Sequence, residues 1–97
     1  MFEIYWTPEA RDTYYLLRGN ASKQKRYKAV RKTLELLAAD PRHNSLQTHE
    51  YSSLRGPKGE KIFETYVEQN TPAAYRLFWY FGLDKNQLTV FTITPHP

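Results

Sequence analysis

Arg76 and His96 are the first candidates for chemistry in this sequence. Arg76 lies inside a β-prone run, residues 75–80, and His96 follows the last such run, residues 88–94. A guanidinium stays protonated and can bind two phosphate oxygens at once, whereas a histidine exchanges a proton near neutral pH. If the two runs are neighbouring strands, both side chains can reach one phosphate. The alternatives are an arginine paired with Glu64 and a terminal histidine without a role.

Other side chains near these runs could bind a nucleic acid. Lys58 and Lys61 lie at the entry to the β-prone run 61–67 and could hold phosphates. Three aromatic residues could stack on bases: Tyr66, Phe78 and Tyr80. Aromatic residues in strands more often belong to a core, and ordinary surface lysines are common, so each assignment has a structural alternative.

The positive charge is concentrated in the first third of the chain. The formal net charge is +4, but residues 1–32 carry eight Lys or Arg against three acids, whereas residues 33–97 carry six against seven. No acid occurs between Thr13 and Leu34, where seven basic residues fall: Arg18, Lys23, Lys25, Arg26, Lys28, Arg31 and Lys32. This density indicates an anionic partner, with nucleic acid first, and a solvated helix face is the alternative.

Two helices and four strands are predicted to position these residues. Residues 2–6 read as a strand, and Thr7-Pro8-Glu9 is typical of a helix start that runs to Gly19-Asn20. A second helix, with Ser22 as its cap, ends at Asp40-Pro41. Its apolar stripe consists of Tyr27, Val30, Leu34, Leu37 and Ala38. The remaining three strands are the runs 61–67, 75–80 and 88–94, separated by turns at 69–72 and 82–87.

The resulting order, β-α-α-β-β-β, predicts an α+β fold with a helical hairpin on one face of a mainly antiparallel sheet. We expect one domain over residues 1–97. In the run 75–81, alternation places Arg76, Phe78 and Tyr80 on the face away from the helices. A polar stretch of about 20 residues, 40–59, is predicted to be a long loop with a function. It holds His43, His49, Glu50 and Arg55.

Several classes of protein are disfavoured by composition. The chain has no cysteine, which removes disulfides, thiolate metal sites and a cysteine nucleophile. Its three histidines lack metal-ligand spacing, so we expect no metal and no cofactor. The N-terminal residues do not resemble a signal peptide, and no apolar run approaches the roughly 20 residues of a membrane span. A cytoplasmic location without membrane contact is the expectation.

The chain resembles the RelE/ParE superfamily of toxins from bacterial type II toxin–antitoxin systems. The resemblance rests on the element order, the basic second helix, Leu54-Arg55-Gly56, Tyr75-Arg76-Leu77 in a strand, and His96 after the last strand. RelE-like and YoeB-like members are mRNA interferases that cut messenger RNA on the ribosome, whereas ParE-like members act on DNA gyrase. The resemblance implies a cognate antitoxin, which could form a higher-order assembly with the toxin.

The family's site carries over only in part. Arg76 matches the arginine that contacts the scissile phosphate, and His96 matches the C-terminal histidine of YoeB-like members. Lys61 matches the first of two RelE lysines, but Phe63 stands at the second position and Pro97 replaces the YoeB terminal tyrosine. The YoeB glutamate has two candidate counterparts, His49 and Glu50.

The function predicted by this resemblance is metal-independent cleavage of mRNA by attack of the 2′-hydroxyl. Its predicted catalytic residues are Arg76, His96, Glu50, His49 and Lys61. Its predicted RNA contacts are Lys25, Lys28, Arg31, Lys32, Arg55, Lys58, Phe78 and Tyr80. Two alternatives keep the fold without the enzyme: a protein that binds a protein target such as gyrase, and an RNA-binding module with a decayed catalytic set.

Overall fold

In the computed structural model, which describes residues 1–69, 73–82 and 84–95, two helices pack on one face of a five-stranded mixed sheet. The elements are β1 (Glu3–Trp6), α1 (Pro8–Gly19), α2 (Gln24–Ala39), β2 (His49–Arg55), β3 (Lys61–Tyr66), β4 (Tyr75–Phe81) and β5 (Gln87–Pro95). The sheet order is β1-β5-β4-β3-β2, with β1 parallel to β5 and the other pairs antiparallel. The predicted α+β class and helical hairpin are confirmed.

The helix boundaries follow from local chemistry. At the start of α1, the Oγ1 of Thr7 accepts a hydrogen bond from the Ala10 amide at 3.2 Å, and Pro8 occupies the first helical position. The predicted Ser22 cap is wrong, because Asn20 performs this role: its Oδ1 accepts from the Ser22 amide at 3.0 Å. Asn20 thereby opens a 3-10 turn, Ala21–Lys23, that leads into α2 without a side-chain cap.

The main core lies between the helices and the sheet. Buried side chains from α1 and α2 meet alternate residues of β4 and β5, including Leu77 and Trp79. The indole Nε1 of Trp79 donates to the Oγ1 of Thr65 at 2.8 Å, which satisfies the one polar group of this buried ring. The alternation predicted for β4 is therefore confirmed on its helix-facing side.

The polar stretch 40–59 contains a strand that the sequence did not predict. It folds into a 3-10 turn, Asn44–Leu46, and then β2, which forms the edge of the sheet beside β3. Six of the seven residues of β2 are exposed, so the strand has almost no apolar alternation to reveal it. The strand is held by its pairing with β3, and the register of that pairing shifts between Glu50 and Arg55. The predicted long loop is corrected accordingly.

The face of the sheet opposite the helices, called the open face below, carries a second apolar cluster. Ile62, Phe78 and Tyr80 are buried there, with Tyr51 and Phe91 packed against them. Phe78 is 1% exposed and Tyr80 8% exposed, so neither ring offers a free face to a base. These two residues are therefore core residues in this structure, and the predicted stacking role is corrected for both.

Two sequence predictions fall outside the described residues: most of the turn at 69–72, and His96. Within the part of the chain that the structure describes, no helix is long and apolar enough to cross a membrane.

Candidate active site on the open face of the sheet

Arg76 projects from β4 onto the open face at the end of the apolar cluster. Its side chain is only 11% exposed, and its guanidinium lies 3.8 Å from the centre of the Tyr66 ring. Nη1 donates to the carbonyl oxygen of Glu68 at 2.8 Å and to that of Tyr75 at 3.2 Å. The guanidinium is thus held over an aromatic ring from the neighbouring strand by two hydrogen bonds to backbone carbonyls, which fix its orientation.

The guanidinium of Arg76 retains donors that the protein does not use. Among the described residues, Nε is buried without a hydrogen-bond partner and Nη2 makes no hydrogen bond. A buried donor without a partner is costly, so it is normally explained by a ligand, a water or a function. Unused donors on a fixed cation are suited to an anion with several oxygens, such as a phosphate.

A buried carboxylate separates Arg76 from a histidine. Glu64, on β3, is 0% exposed, and its Oε2 lies 3.9 Å from the Nε of Arg76. Its other oxygen, Oε1, lies 2.7 Å from the Nε2 of His49, which is 49% exposed. A carboxylate that is shielded from water requires positive charge nearby. Glu64 has such charge from Arg76 and, when His49 is protonated, from both sides.

Both ring nitrogens of His49 face an oxygen atom. Its Nδ1 lies 3.1 Å from the carbonyl oxygen of Gln47, and its Nε2 faces the Glu64 carboxylate. Both partners are acceptors, so the ring is held between two oxygen atoms. The ring also stands edge-on to Tyr66, with centroids 6.3 Å apart. The His49 ring is therefore held in place beside the Glu64 carboxylate.

The register of the sheet separates the two candidates for the YoeB glutamate. His49 pairs with Glu64, and Tyr66, two residues further along β3, pairs with Arg76. Because paired residues share a face and alternate residues return to it, His49 lies on the same face as Arg76. Glu50 pairs with Phe63, which packs towards the helices, and its Oε2 contacts Arg55 at 3.5 Å. The structure thus brings His49, and not Glu50, to Arg76.

The predicted lysines lie at the other end of the sheet. Lys61 pairs with Arg55 and is five residues along β3 from Tyr66, the partner of Arg76. At roughly 3.3 Å per residue, this is about 16 Å away. Lys61 also alternates to the helix-facing side, and Lys58 lies in the exposed β2–β3 turn. Lys61 is therefore not part of the group formed by Arg76, Glu64 and His49.

The basic residues of α2 divide into two groups. Lys25, Lys28, Arg31 and Lys32 are exposed, as an anion-binding surface requires. Arg26 instead pairs with Glu68 at 3.0 Å and lies over the Tyr75 ring at 4.0 Å. The same Glu68 oxygen, Oε1, accepts from the Tyr75 amide at 3.0 Å. Arg26 therefore anchors α2 to the segment whose carbonyl groups orient Arg76.

Comparison with known proteins finds the same fold among solved structures but no match by sequence. No protein-family sequence model matches the chain, and no characterised protein matches it by sequence. A YoeB/ParE toxin from Agrobacterium tumefaciens is 11% identical and superposes with a TM-score of 0.71, covering 99% of this chain and 100% of that one. The fold is that of the YoeB and ParE toxins.

Further solved structures of this fold agree. The YoeB dimer from Staphylococcus aureus is 16% identical, with a TM-score of 0.64 over 99% of this chain and 98% of that one. A copper-bound mutant toxin from Helicobacter pylori is 15% identical, with a TM-score of 0.58 over 99% and 96%. Here, among residues 1–69, 73–82 and 84–95, no three His, Cys, Asp or Glu side chains group as metal ligands.

Within this YoeB/ParE fold, sequence reasoning missed one member of the cluster. Glu64 entered the prediction only as an alternative partner that would make Arg76 structural. Its position inside a β-prone run was a signal, because a carboxylate in a strand core needs a reason to be there. His49 was a candidate, but its contact with Glu64 depends on β2, which was not predicted.

Proposed function

We propose that this protein is an endoribonuclease toxin that cleaves messenger RNA on the ribosome and is neutralised by a cognate antitoxin. The observation that carries this proposal is a group of three polar side chains on the open face, called the open-face cluster: Arg76, Glu64 and His49. Arg76, which has unused donors, and His49, whose ring nitrogens face two acceptors, flank the Glu64 carboxylate. The YoeB/ParE fold supports the same reading.

Metal-independent RNA cleavage requires three chemical roles. The 2′-hydroxyl attacks phosphorus while a base takes its proton, the bond to the 5′-oxygen breaks, and an acid protonates that leaving oxygen. A fixed cation stabilises the charge that develops on the phosphate oxygens. In the proposed assignment, Arg76 is that cation.

The two histidines supply the proton transfers in this proposal. In this assignment His49, held between two acceptors, is the general acid. His96 then takes the role of base; it lies two positions beyond Thr94, the residue paired with Arg76. Glu64 touches no substrate atom in this scheme and acts as a positioning residue for His49 and Arg76.

The test is cleavage of mRNA on translating ribosomes by the folded, antitoxin-free protein. Arg76→Ala should lower the rate about 10²–10³-fold, because it removes the fixed cation. His49→Gln and His96→Gln should each cost about 10²–10⁴-fold, the usual contribution of a proton-transfer group.

Matched controls make this test specific. His43→Gln changes an exposed histidine whose Nδ1 accepts from the Ser45 amide, outside the cluster, and Arg11→Ala changes an exposed arginine of α1. Both should keep the wild-type rate, with folding checked by circular dichroism. Failure of the folded wild-type protein to cleave RNA would contradict the nuclease assignment. Inhibition of gyrase supercoiling by the same preparation would favour a ParE-like binder.

The antitoxin has its own test. Expression of the chain alone should arrest growth, and co-expression of a small acidic protein from the neighbouring reading frame should relieve the arrest and co-purify with the chain. Relief without complex formation would contradict direct neutralisation.

A further inference from the structure

The guanidinium of Arg76 is held by two backbone carbonyl groups that are themselves tied together. Its Nη1 donates to the carbonyl oxygens of Glu68, which follows β3, and of Tyr75, the first residue of β4. The Tyr75 carbonyl also accepts from the amides of Val67 and Glu68, each at 3.2 Å. The Glu68 carboxylate accepts from the Tyr75 amide at 3.0 Å. A shift of either Glu68 or Tyr75 would therefore move both acceptors of Arg76.

Arg26 reaches both of these residues from α2. Its Nε donates to the Oε1 of Glu68 at 3.0 Å, and its guanidinium lies 4.0 Å from the centre of the Tyr75 ring. The side chains of Arg26 and Glu68 are only 23% and 18% exposed, so water and salt screen this pair less than they screen an exposed one. One side chain of the basic helix thus contacts both residues whose carbonyl groups orient Arg76.

Arg26 differs in its surroundings from the lysines beside it on α2. Lys25 and Lys28 are exposed, whereas the Nε of Arg26 meets a carboxylate and its guanidinium lies over an aromatic ring. A planar guanidinium can make both contacts at once, and the compact ammonium of a lysine on a flexible stem cannot. This position therefore requires an arginine, whereas attraction of phosphates requires only positive charge.

We propose that Arg26 is a positioning residue for Arg76; this inference rests on the proposed function. Through Glu68 and Tyr75, Arg26 fixes the carbonyl oxygens that set the direction of the unused donors of Arg76. Arg26 touches no RNA atom in this role. Placement of this kind matters, because a displacement of about 1 Å caused far from the chemistry can lower a rate about 10²-fold.

The first test is cleavage of mRNA on translating ribosomes, with the maximal rate and the half-saturating ribosome concentration measured separately. Arg26→Gln should lower the maximal rate about 10–100-fold, because Arg76 is present but misplaced. The half-saturating concentration should stay as in wild type, since no phosphate contact is lost. Arg26→Lys, which keeps the charge, should also lower the maximal rate. Full activity with lysine would show that only charge matters at this position and would overturn the inference.

A double variant tests whether Arg26 acts through Arg76. Arg26→Gln should cost nothing further in an Arg76→Ala background, because the group that it positions is already absent. An additional loss of rate in the double variant would mean that Arg26 contacts the RNA or the ribosome itself, and this would overturn the proposal.

A spectroscopic readout does not depend on cleavage. In protein with isotope-labelled arginine, the Nε–H signal of Arg76 is identified by its absence from Arg76→Ala, and it should move in Arg26→Gln and Arg26→Lys. Arg18→Gln is the matched control, because Arg18 lies over the Tyr15 ring at 4.7 Å on α1. It removes a contact of the same kind elsewhere and should leave the Arg76 signal and the cleavage rate as in wild type.

A second variant of the same contact guards against an effect of one substitution on folding. Glu68→Gln keeps an amide oxygen that can accept from the Tyr75 amide but removes the charge that faces Arg26. It should shift the Arg76 signal and lower the maximal rate in the same direction as Arg26→Gln. All variants are compared under conditions in which circular dichroism shows them fully folded.

The outcomes separate this inference from the proposed function. Cleavage by wild type, with an unchanged maximal rate in Arg26→Gln and Glu68→Gln, would overturn the positioning role and leave the nuclease intact. A raised half-saturating concentration with an unchanged maximal rate would assign Arg26 to ribosome binding and also overturn this inference. A wild-type protein that cleaves no RNA would overturn the proposed function. An Arg76 signal that is unchanged in Arg26→Gln would overturn the positioning role whatever the cleavage result.

Discussion

At the scale of single residues, Glu64 is the carboxylate that links Arg76 to His49. A fully buried carboxylate is stable only with compensating charge, and its two oxygens face two different basic side chains. This geometry positions the His49 ring and limits the motion of Arg76. Removing the charge of Glu64 should therefore disturb both residues at once.

We predict that Glu64→Gln lowers the cleavage rate by at least about 10-fold, because it keeps the shape but removes the charge that orients both groups. It should also lower the free energy of unfolding by about 3 kcal/mol, since Arg76 is left buried without its counter-charge. The specific readout is the ring nitrogen chemical shift of His49, which should change because its Nε2 no longer faces a carboxylate.

Glu50→Gln is the matched control, because Glu50 lies on the opposite side of the sheet beside Arg55. It should change neither the His49 signal nor the rate. A Glu64→Gln protein that is merely less stable, with an unchanged His49 spectrum, would reduce Glu64 to a structural residue.

The residues of the site were only partly predictable from the sequence. Arg76 could be located because a cation inside a β-prone run is conspicuous. The choice between His49 and Glu50 could not be made, because it depends on which face of β2 each side chain occupies. That face is set by pairing with β3, a contact between residues 15 positions apart at His49 and Glu64.

At the scale of elements, hydrophobic periodicity predicted the helices and strands that bury apolar side chains and missed β2, a strand that is mostly exposed. α1, α2, β4 and β5 each place an apolar stripe in the core, so their patterns are visible in the sequence. β2 is an exposed edge strand whose stability comes from its hydrogen bonds to β3. The stacking role predicted for Phe78 and Tyr80 was wrong because alternation identifies the sheet face of a side chain but not the side chains that pack over it. On the open face, Tyr51 and Phe91 pack against these two rings.

The contact between α1 and α2 makes a prediction about alkaline pH. Burial, followed by a hydrogen bond to the Tyr27 hydroxyl, raises the pKa of Tyr14 from its ordinary value of 10 to about 12. The hydroxyls are 3.5 Å apart. Folding thus favours the neutral phenol. This contribution to stability is complete below the unfolded pKa and is lost as the pH rises through the folded pKa.

Tyr27→Phe should lower the pKa of Tyr14, because the hydrogen-bonding partner is absent. Ultraviolet titration of phenolate formation measures this, and urea unfolding across the same pH window should show stability lost at lower pH than in wild type. Tyr5→Phe, on the exposed β1 edge, is the control. An unchanged late-titrating tyrosine in Tyr27→Phe would show that burial alone accounts for the shift.

At the scale of the whole molecule, the basic surface of α2 and the open-face cluster lie on different sides of the sheet but meet at its edge. Lys32 and Tyr66 line one groove of about 320 Å³, and Tyr66 is the ring beneath Arg76. A long anion bound along α2 could therefore continue to the cluster. The exposed lysines of this helix would then govern affinity, while the cluster performs the chemistry.

We predict that replacing Lys25, Lys28 and Lys32 with Gln weakens binding to ribosomal RNA and flattens its dependence on salt. Each phosphate contact contributes roughly 0.7–0.9 to the slope of log affinity against log salt, so three lost contacts should reduce that slope by about 2–3. The cleavage step measured at saturating ribosome concentration should be unchanged, because these side chains lie outside the cluster.

A second triple variant, Lys58→Gln with Lys61→Gln and Lys85→Gln, removes the same charge from exposed positions elsewhere in the chain. If net charge alone attracted the ribosome, both variants would lose affinity equally. A smaller slope only in the α2 variant would place the phosphates on the helix. A smaller slope only in the second would place them at the far end of the sheet, where Lys61 pairs with Arg55, and would reject the α2 surface.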